Sequence, residues 1–250
     1  MSGQPRRALL VVENESVPHD QRVWREAKTL ADAGWVVSVI SPRGAGRDDR
    51  RNETIDGIDI HRFTLREAGE GVVAYVLEYG LAVAKILWLM LTVRRRRGFD
   101  VVQLCNPPDV LFAAALPFKL FGTRVIFDHH DLSPELWQSR SGSPLVYRAL
   151  LWAERATFAV ADVVMSTNRS YRRIAIDRGR MDPADVFVVR NGPDLDRLVP
   201  VPPDQSLRNG RDHLLGYVGT MGPQDGVDYL IRALEVLVHK QGRDVQAVLV

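Results

Sequence analysis

From residue 8 to residue 189 the chain alternates short β-branched or apolar runs with longer stretches of helical periodicity. A strand, a covering helix and a second strand in the same sheet join by a right-handed crossover, which makes the strands parallel. Repeated along a chain, this pattern specifies an α/β, doubly wound, mostly parallel sheet. The first repeat is the clearest. Residues 8–12 read Ala-Leu-Leu-Val-Val, and Asp20 caps a helix with Val23, Trp24, Ala27, Leu30 and Ala31 on one face. Gly34 ends that helix and residues 36–40 form the next strand. Residues 41–53 read as a surface loop, and Ile55-Asp56-Gly57-Ile58 as a hairpin turn. A helix over 72–93 and a strand over 100–104 follow. Asn106-Pro107-Pro108-Asp109 then opens a helix to about residue 120, with Asn106 or Asp109 as its cap. Beyond residue 140 come a helix begun by Ser143-Pro144, a strand over 163–165, a helix capped by Asn168 that ends near Gly179, and a strand over 186–189.

The chemistry concentrates after one of these strands. Val125-Ile126-Phe127 reads as a buried strand and runs straight into Asp128, His129, His130 and Asp131, then Ser133-Pro134-Glu135. In an open parallel sheet, the carboxyl ends of the strands are where ligands bind. Ser133 as N-cap, Pro134 at the first helical position and Glu135 in the first turn explain part of the stretch. Two adjacent histidines flanked by aspartates exceed what a cap requires. Asn106 stands at a second strand's carboxyl end, either facing the same crevice or only capping its helix. The turn over 13–20 has no glycine and carries Glu13 and Glu15. A dinucleotide site there needs glycines for the tight turn and for close approach of the pyrophosphate, so a nicotinamide or flavin enzyme is disfavoured.

Bulk properties narrow the setting. Thirty-three basic and 31 acidic side chains leave a net charge of +2, which gives no sign of a nucleic-acid partner. Cys105 is the single cysteine; it rules out an internal disulfide and a paired-cysteine zinc site, and fits a reducing cytoplasm. The apolar stretch over 72–93 is interrupted by Glu78, Gly80 and Lys85 and followed by Arg94-Arg95-Arg96-Arg97, so it is not a spanning helix. Two readings stay open: a core helix whose arginines complement its C-terminal dipole, or a helix on an anionic membrane at the inner face.

Composition shifts near residue 199. Val199-Pro200-Val201-Pro202-Pro203 is stiff and the following stretch is polar, so residues 1–198 form the first domain and 199–213 a linker. Residues 214–250 begin a second strand–helix–strand unit. It contains Gly219-Thr220-Met221-Gly222-Pro223-Gln224-Asp225-Gly226 between its first strand and its helix. A piece of this size hardly buries a core by itself, and the expectation is that the second domain is cut short.

Asp128-x-His130-Asp131-Leu132-x-Pro134-Glu135, Asn191-Gly192-x-Asp194 and the Gly219-Thr220 loop, together with Asp20-Gln21-Arg22-Val23 through Gly34, resemble the retaining GT-B glycosyltransferases of family four. The resemblance covers the chain but includes only the first of that family's two Rossmann-like domains in full. It implies sugar transfer from a nucleotide-sugar donor to a glycan, lipid or small-molecule acceptor. No metal is required, and the nucleotide sugar serves as co-substrate. By this resemblance His130 lies beside the donor sugar, with Asp131 and Glu135 as the other catalytic-loop residues. Asn191, Gly219, Thr220, Gln224, Asp225 and Gly226 fall on the donor side, and Asn106, Asp109 and His129 on the acceptor side. One departure stands out. Where family members carry a basic pair against the diphosphate, this chain has Thr220 and Asp225. Backbone N–H groups at the start of the following helix are one replacement. A nucleotide-sugar 2-epimerase of the same fold and a non-catalytic acceptor-binding domain are the alternative readings.

Overall fold

The computed structural model describes residues 5–65, 72–140, 143–192, 198–219, 221–222 and 225–250. The chain divides into two compact units, Met1–Asn191 and Gly192–Val250. The first runs β1 (Arg7–Val11), α1 (Gln21–Asp32), β2 (Val36–Pro42), β3 (Asn52–Ile55), β4 (Ile58–Phe63), α2 (Val72–Arg96), β5 (Val101–Cys105) and α3 (Phe112–Leu120). It continues with β6 (Arg124–His129), α4 (Ser133–Arg140), α5 (Pro144–Val160), β7 (Val163–Ser166), α6 (Arg169–Asp177) and β8 (Val186–Val188).

One 8-stranded sheet has the order β3-β4-β2-β1-β5-β6-β7-β8. Only β3 runs antiparallel, through the Asp56-Gly57 hairpin, where both residues take the positive φ that a tight two-residue turn needs. The strand order reverses at β1, which lies between β2 and β5. A crevice opens at such a reversal, beyond the strands' carboxyl ends.

Period-two alternation builds a core on each face. Leu9 and Val11 of β1 join Ile86, Met90 and Phe118 of α2 and α3 in one cluster. Ala8 and Leu10 join Val23 and Ala27 of α1 in another. A smaller third cluster gathers Phe127, Phe158, Val164, Ala175 and Val186 at the β6–β8 end. Each fully buried side chain of this kind stabilises by roughly 1.5–3 kcal/mol. Asp20 caps α1 as the sequence predicts, accepting from the Arg22 and Val23 N–H groups, and Gly34 follows that helix at φ +82°. Cys105 is buried beside the Gln103 amide.

Three local expectations shift. The 41–53 segment is not all surface loop, because Asp48 is buried and accepts from Ser16 Oγ at 3.0 Å. Helix α3 begins at Phe112 behind Leu111, and neither Asn106 nor Asp109 caps it. The Asn106 side chain is committed instead to the loop after β6. Helix α4 includes Ser133 and takes its first turn from the Leu132 carbonyl, one residue before the expected cap.

The second unit contains β9 (His213–Tyr217), α7 (Val227–Glu235), a π turn over Val236–Lys240, and β10 (Val245–Leu249). The two strands pair in parallel. None of its described residues is buried. Within 199–213 a 3-10 turn at Gln205–Arg208 runs into a left-handed turn at Asn209 and Gly210, and the Leu207 carbonyl accepts from Gln246 Nε2 at 3.2 Å.

Candidate active site at the carboxyl edge of the sheet

Strand alternation separates the two adjacent histidines. Asp128 and His130 project toward α1, and His129 projects to the opposite face with Phe127. The Asp128 carboxylate has no exposure and takes a two-point contact from Arg22: Nε donates to Oδ2 at 2.8 Å and Nη2 to Oδ1 at 2.6 Å. Its Oδ2 also lies 3.3 Å from His130 Nδ1. The remaining Arg22 nitrogen donates to the Val189 carbonyl at 3.1 Å and to Asn191 Oδ1 at 2.7 Å. One guanidinium thereby joins α1, the end of β6 and the segment after β8. The His130 side chain keeps 14 % of its surface exposed, so this network reaches solvent through an imidazole.

Asn106 fixes the loop that carries His130. Its Oδ1 accepts from the His130 and Asp131 N–H groups at 2.9 and 3.1 Å. Its Nδ2 donates to Asp109 Oδ1 at 2.9 Å and to the Asp131 carbonyl at 2.7 Å. β5 and β6 are adjacent in the sheet, which puts these carboxyl ends side by side.

The other face is built differently. His129 is fully buried among the rings of Phe127, Phe158 and Tyr171, with centroids 5.1 to 5.7 Å away. Its Nε2 lies 3.4 Å from Glu154 Oε1. Arg178 donates to that same oxygen at 2.6 Å and also binds Glu135. Gly179 lets the chain end α6 here, since a Cβ on it would stand 2.5 Å from the Ala175 carbonyl oxygen and 2.7 Å from the Phe158 ring. Glu135 therefore ties α4 to the end of α6.

Residues 19–192 match the family model described as a glycosyl transferase 4-like domain. The chain belongs to that family. Among curated proteins, none matches it significantly. Solved structures share the fold at low identity. Sucrose-phosphate synthase from Thermosynechococcus elongatus is 15 % identical with a TM-score of 0.64, the match covering 97 % of this chain and 70 % of that one. The catalytic domain of starch synthase IV from Arabidopsis thaliana, bound to ADP and acarbose, is 14 % identical with a TM-score of 0.66, over 99 % and 68 % of the two chains. A UDP-N-acetylglucosamine 2-epimerase is 12 % identical with a TM-score of 0.55, over 98 % and 63 %. The fold is thus the Rossmann-like, GT-B type.

Within this glycosyltransferase domain the charges around His130 are strongly biased. Burial disfavours its charged form, but the hydrogen bond and charge of Asp128, with Asp131, outweigh it and raise its pKa. For Asp128, burial pulls upward and the contacts from His130 and Arg22 prevail, so its pKa is lowered. Burial, then the Asp128 charge, push Glu26 up to about 7, although Arg22 and Gln103 contact it. Burial, then Glu78, push Glu13 up to about 7 as well. Glu13 follows β1 at the same edge of the sheet.

The sequence-predicted residues fall into groups. Asn106, Asp109, His130 and Asp131 meet in one hydrogen-bonded loop pair, and Asn191 joins them through Arg22. His129 and Glu135 belong to the Arg178–Glu154 side. Asn106, Asp109 and His129, expected toward an acceptor, are all buried, because their polar groups face the framework. Of the donor-side residues in the second unit, Gly219 has φ +154° and Gly226 has φ +68° immediately before α7. Asp225, which is exposed, closes its own loop, its Oδ2 accepting from the Gly222 N–H at 2.7 Å. Thr220 and Gln224 lie outside the described residues. Asp128 belongs to the cluster that the sequence marks, whereas Arg22, Glu26, Glu154 and Arg178 are site-building groups it leaves unassigned. The i, i+4 placement of Arg22 and Glu26 beside an apolar face was the available signal. Among the described residues no group of His, Cys, Asp or Glu is arranged to hold a metal ion.

Proposed function

We propose that this protein transfers a sugar, of hexosyl type and with retention, from a nucleotide-sugar donor to a glycan- or lipid-linked acceptor. His130 is the residue at the reaction centre. The observation that carries this reading is the solvent-reaching imidazole at the carboxyl edge of β6, held by the buried Asp128–Arg22 pair and by the Asn106 clamp on its backbone. A positioned imidazole can hydrogen-bond a sugar hydroxyl and meet charge as the glycosidic bond breaks. Asp131 and Glu135 order the loop, Asn106 and Asp109 act as positioning residues beneath it, and His129 fills the core on the opposite face. In the second unit Gly219 and Gly226 let backbone approach the donor phosphates. The first N–H groups of α7 stand in for the missing basic pair, as helix N-termini do for phosphate.

The test is incubation of the protein with a panel of nucleotide sugars, with and without candidate acceptors, and analysis of the products. Sugar transfer, or slow donor hydrolysis, supports the proposal. A 2-epimer formed without acceptor would favour the epimerase reading, and no turnover of any donor would favour a binding domain.

A further inference from the structure

A second concave feature lies away from His130, between the ends of β2 and β4 and the side of α2. It is a cavity of about 340 Å³ lined by Arg43, Arg51, Arg62, Lys85 and Trp88, among others. Its floor is Arg62, which is 1 % exposed and donates to the Val17 carbonyl at 2.7 Å and to Glu53 Oε2 at 3.1 Å. The Arg62 charge is already balanced by Glu53 and Asp48. The other three cations are not so matched. Arg43 stands 3.7 Å from a largely exposed Asp49. Arg51 lies with its guanidinium 5.8 Å from the centre of the Trp88 ring, and Lys85 donates to the Thr64 carbonyl at 2.7 Å. Neither Arg51 nor Lys85 has a carboxylate partner among the described residues.

The wall that Trp88 forms continues as an apolar stripe. Leu77, Leu81, Trp88 and Leu91 are 40–62 % exposed. At 100° per residue they fall within about 80° of the helix circumference, over about 20 Å of its length. The opposite side of α2, through Ala82, Ile86, Met90 and Val93, fills the core. The helix is therefore apolar on both sides, yet no helix among the described residues is long and apolar enough to cross a membrane. Of the four arginines at its end, Arg94 is engaged by the Phe99 carbonyl and Arg97 by Asp59. The free positive charge beside the stripe is thus concentrated at the cavity as well as at the helix end.

We propose that the cavity of Arg43, Arg51, Lys85 and Trp88 binds a phosphoryl group carried on a lipid, whose apolar part lies along the exposed stripe of α2. Arginine presents a planar fork that matches phosphate oxygens, and lysine adds a mobile point charge. A free phosphate would use the same cations without the stripe. The inference stands independently of the transfer reaction.

The experiment uses the whole chain and two probes: inorganic pyrophosphate by calorimetry, and vesicles of phosphatidylcholine with or without phosphatidic acid by co-sedimentation at low and physiological salt. Vesicles with phosphatidic acid should retain the protein and neutral vesicles should not. The double variant Arg51→Ala/Lys85→Ala should lower vesicle partition about 30-fold, the scale for two basic residues at an anionic surface, and lose the cavity's pyrophosphate site, read as a lower calorimetric stoichiometry than the parent's. Both positions are exposed, so circular dichroism and Tm should stay at the parent values. Arg173→Ala, at an exposed remote position, should bind as the parent does. Trp88→Ala should weaken vesicle binding more than pyrophosphate binding. Equal partition of the double variant and the parent would overturn the proposal. Pyrophosphate binding that the double variant loses, without vesicle recruitment of the parent, would overturn the lipid part and make a soluble phosphate the source.

Discussion

The two faces of β6 carry neighbouring histidines with opposite surroundings. On the α1 face, Asp128 and His130 belong to a charged network that begins at a buried guanidinium and ends at an imidazole whose edge reaches solvent. On the α5 face, His129 is closed within three aromatic rings, and the carboxylate beside its Nε2 is that of a buried glutamate already paired with Arg178. The residue type is the same and the backbone positions are consecutive. The difference comes from the two-residue period of a strand, which sends successive side chains to opposite faces. One histidine reaches the surface at the sheet's carboxyl edge and the other fills the core. The second unit offers no comparable contrast, since its two strands and one helix bury none of their described residues.

The largest effect on stability should come from Arg22. Arg22→Ala removes the partner of a fully buried carboxylate, and an uncompensated buried charge costs about 3–5 kcal/mol. Denaturant unfolding measures this, and a loss near 1 kcal/mol would mean that water reaches Asp128. Next comes His129→Ala, which opens a cavity among Phe127, Phe158 and Tyr171 and should cost about 2–4 kcal/mol. His130→Ala, at the rim, should shift Tm much less than His129→Ala, so equal shifts would erase the contrast between the faces.

The pH dependence sharpens the same point. A histidine whose folded pKa is raised contributes stability that is fully present below its unfolded pKa, about 6.5, and is lost as pH rises through the folded value. The Tm advantage of the parent over His130→Ala should therefore be greatest in mild acid and shrink in alkali. Asp128 acts in the opposite sense: its contribution is present above its unfolded pKa, about 3.9, and fades as pH falls through its lowered folded value. A parent-to-variant gap that widens with rising pH would contradict the His130–Asp128 pairing. The smallest effect should be that of Glu135→Gln. Its carboxylate is partly exposed, and exposed pairs contribute about 0–1 kcal/mol.

Much of this arrangement is legible in the sequence. The alternating apolar runs specify the parallel sheet, Asp56-Gly57 the hairpin, and Asp20 and Asn168 the caps that the structure shows. The cluster after Phe127 marks the carboxyl edge of the sheet. What the sequence hides is pairing at long range. Arg22 and Asp128 are 106 residues apart, and they meet only because β6 and α1 lie close in a sheet whose order reverses at β1. Asn106 reads locally as a helix cap because asparagine commonly serves that role. Its real partners are backbone groups of the next strand's loop, which no local pattern reveals. His129 reads as a second site residue until burial is known.

On the proposed function, His130 and not His129 faces the reacting sugar. The most direct test is turnover by His130→Ala and His129→Ala with whichever nucleotide sugar the parent uses, measured where both variants remain folded. His130→Ala should lose about 10²-fold or more in kcat, the scale of one positioned catalytic group, and His129→Ala should stay within a few-fold of the parent. The reverse pattern, or parent-like turnover by His130→Ala, would contradict that placement.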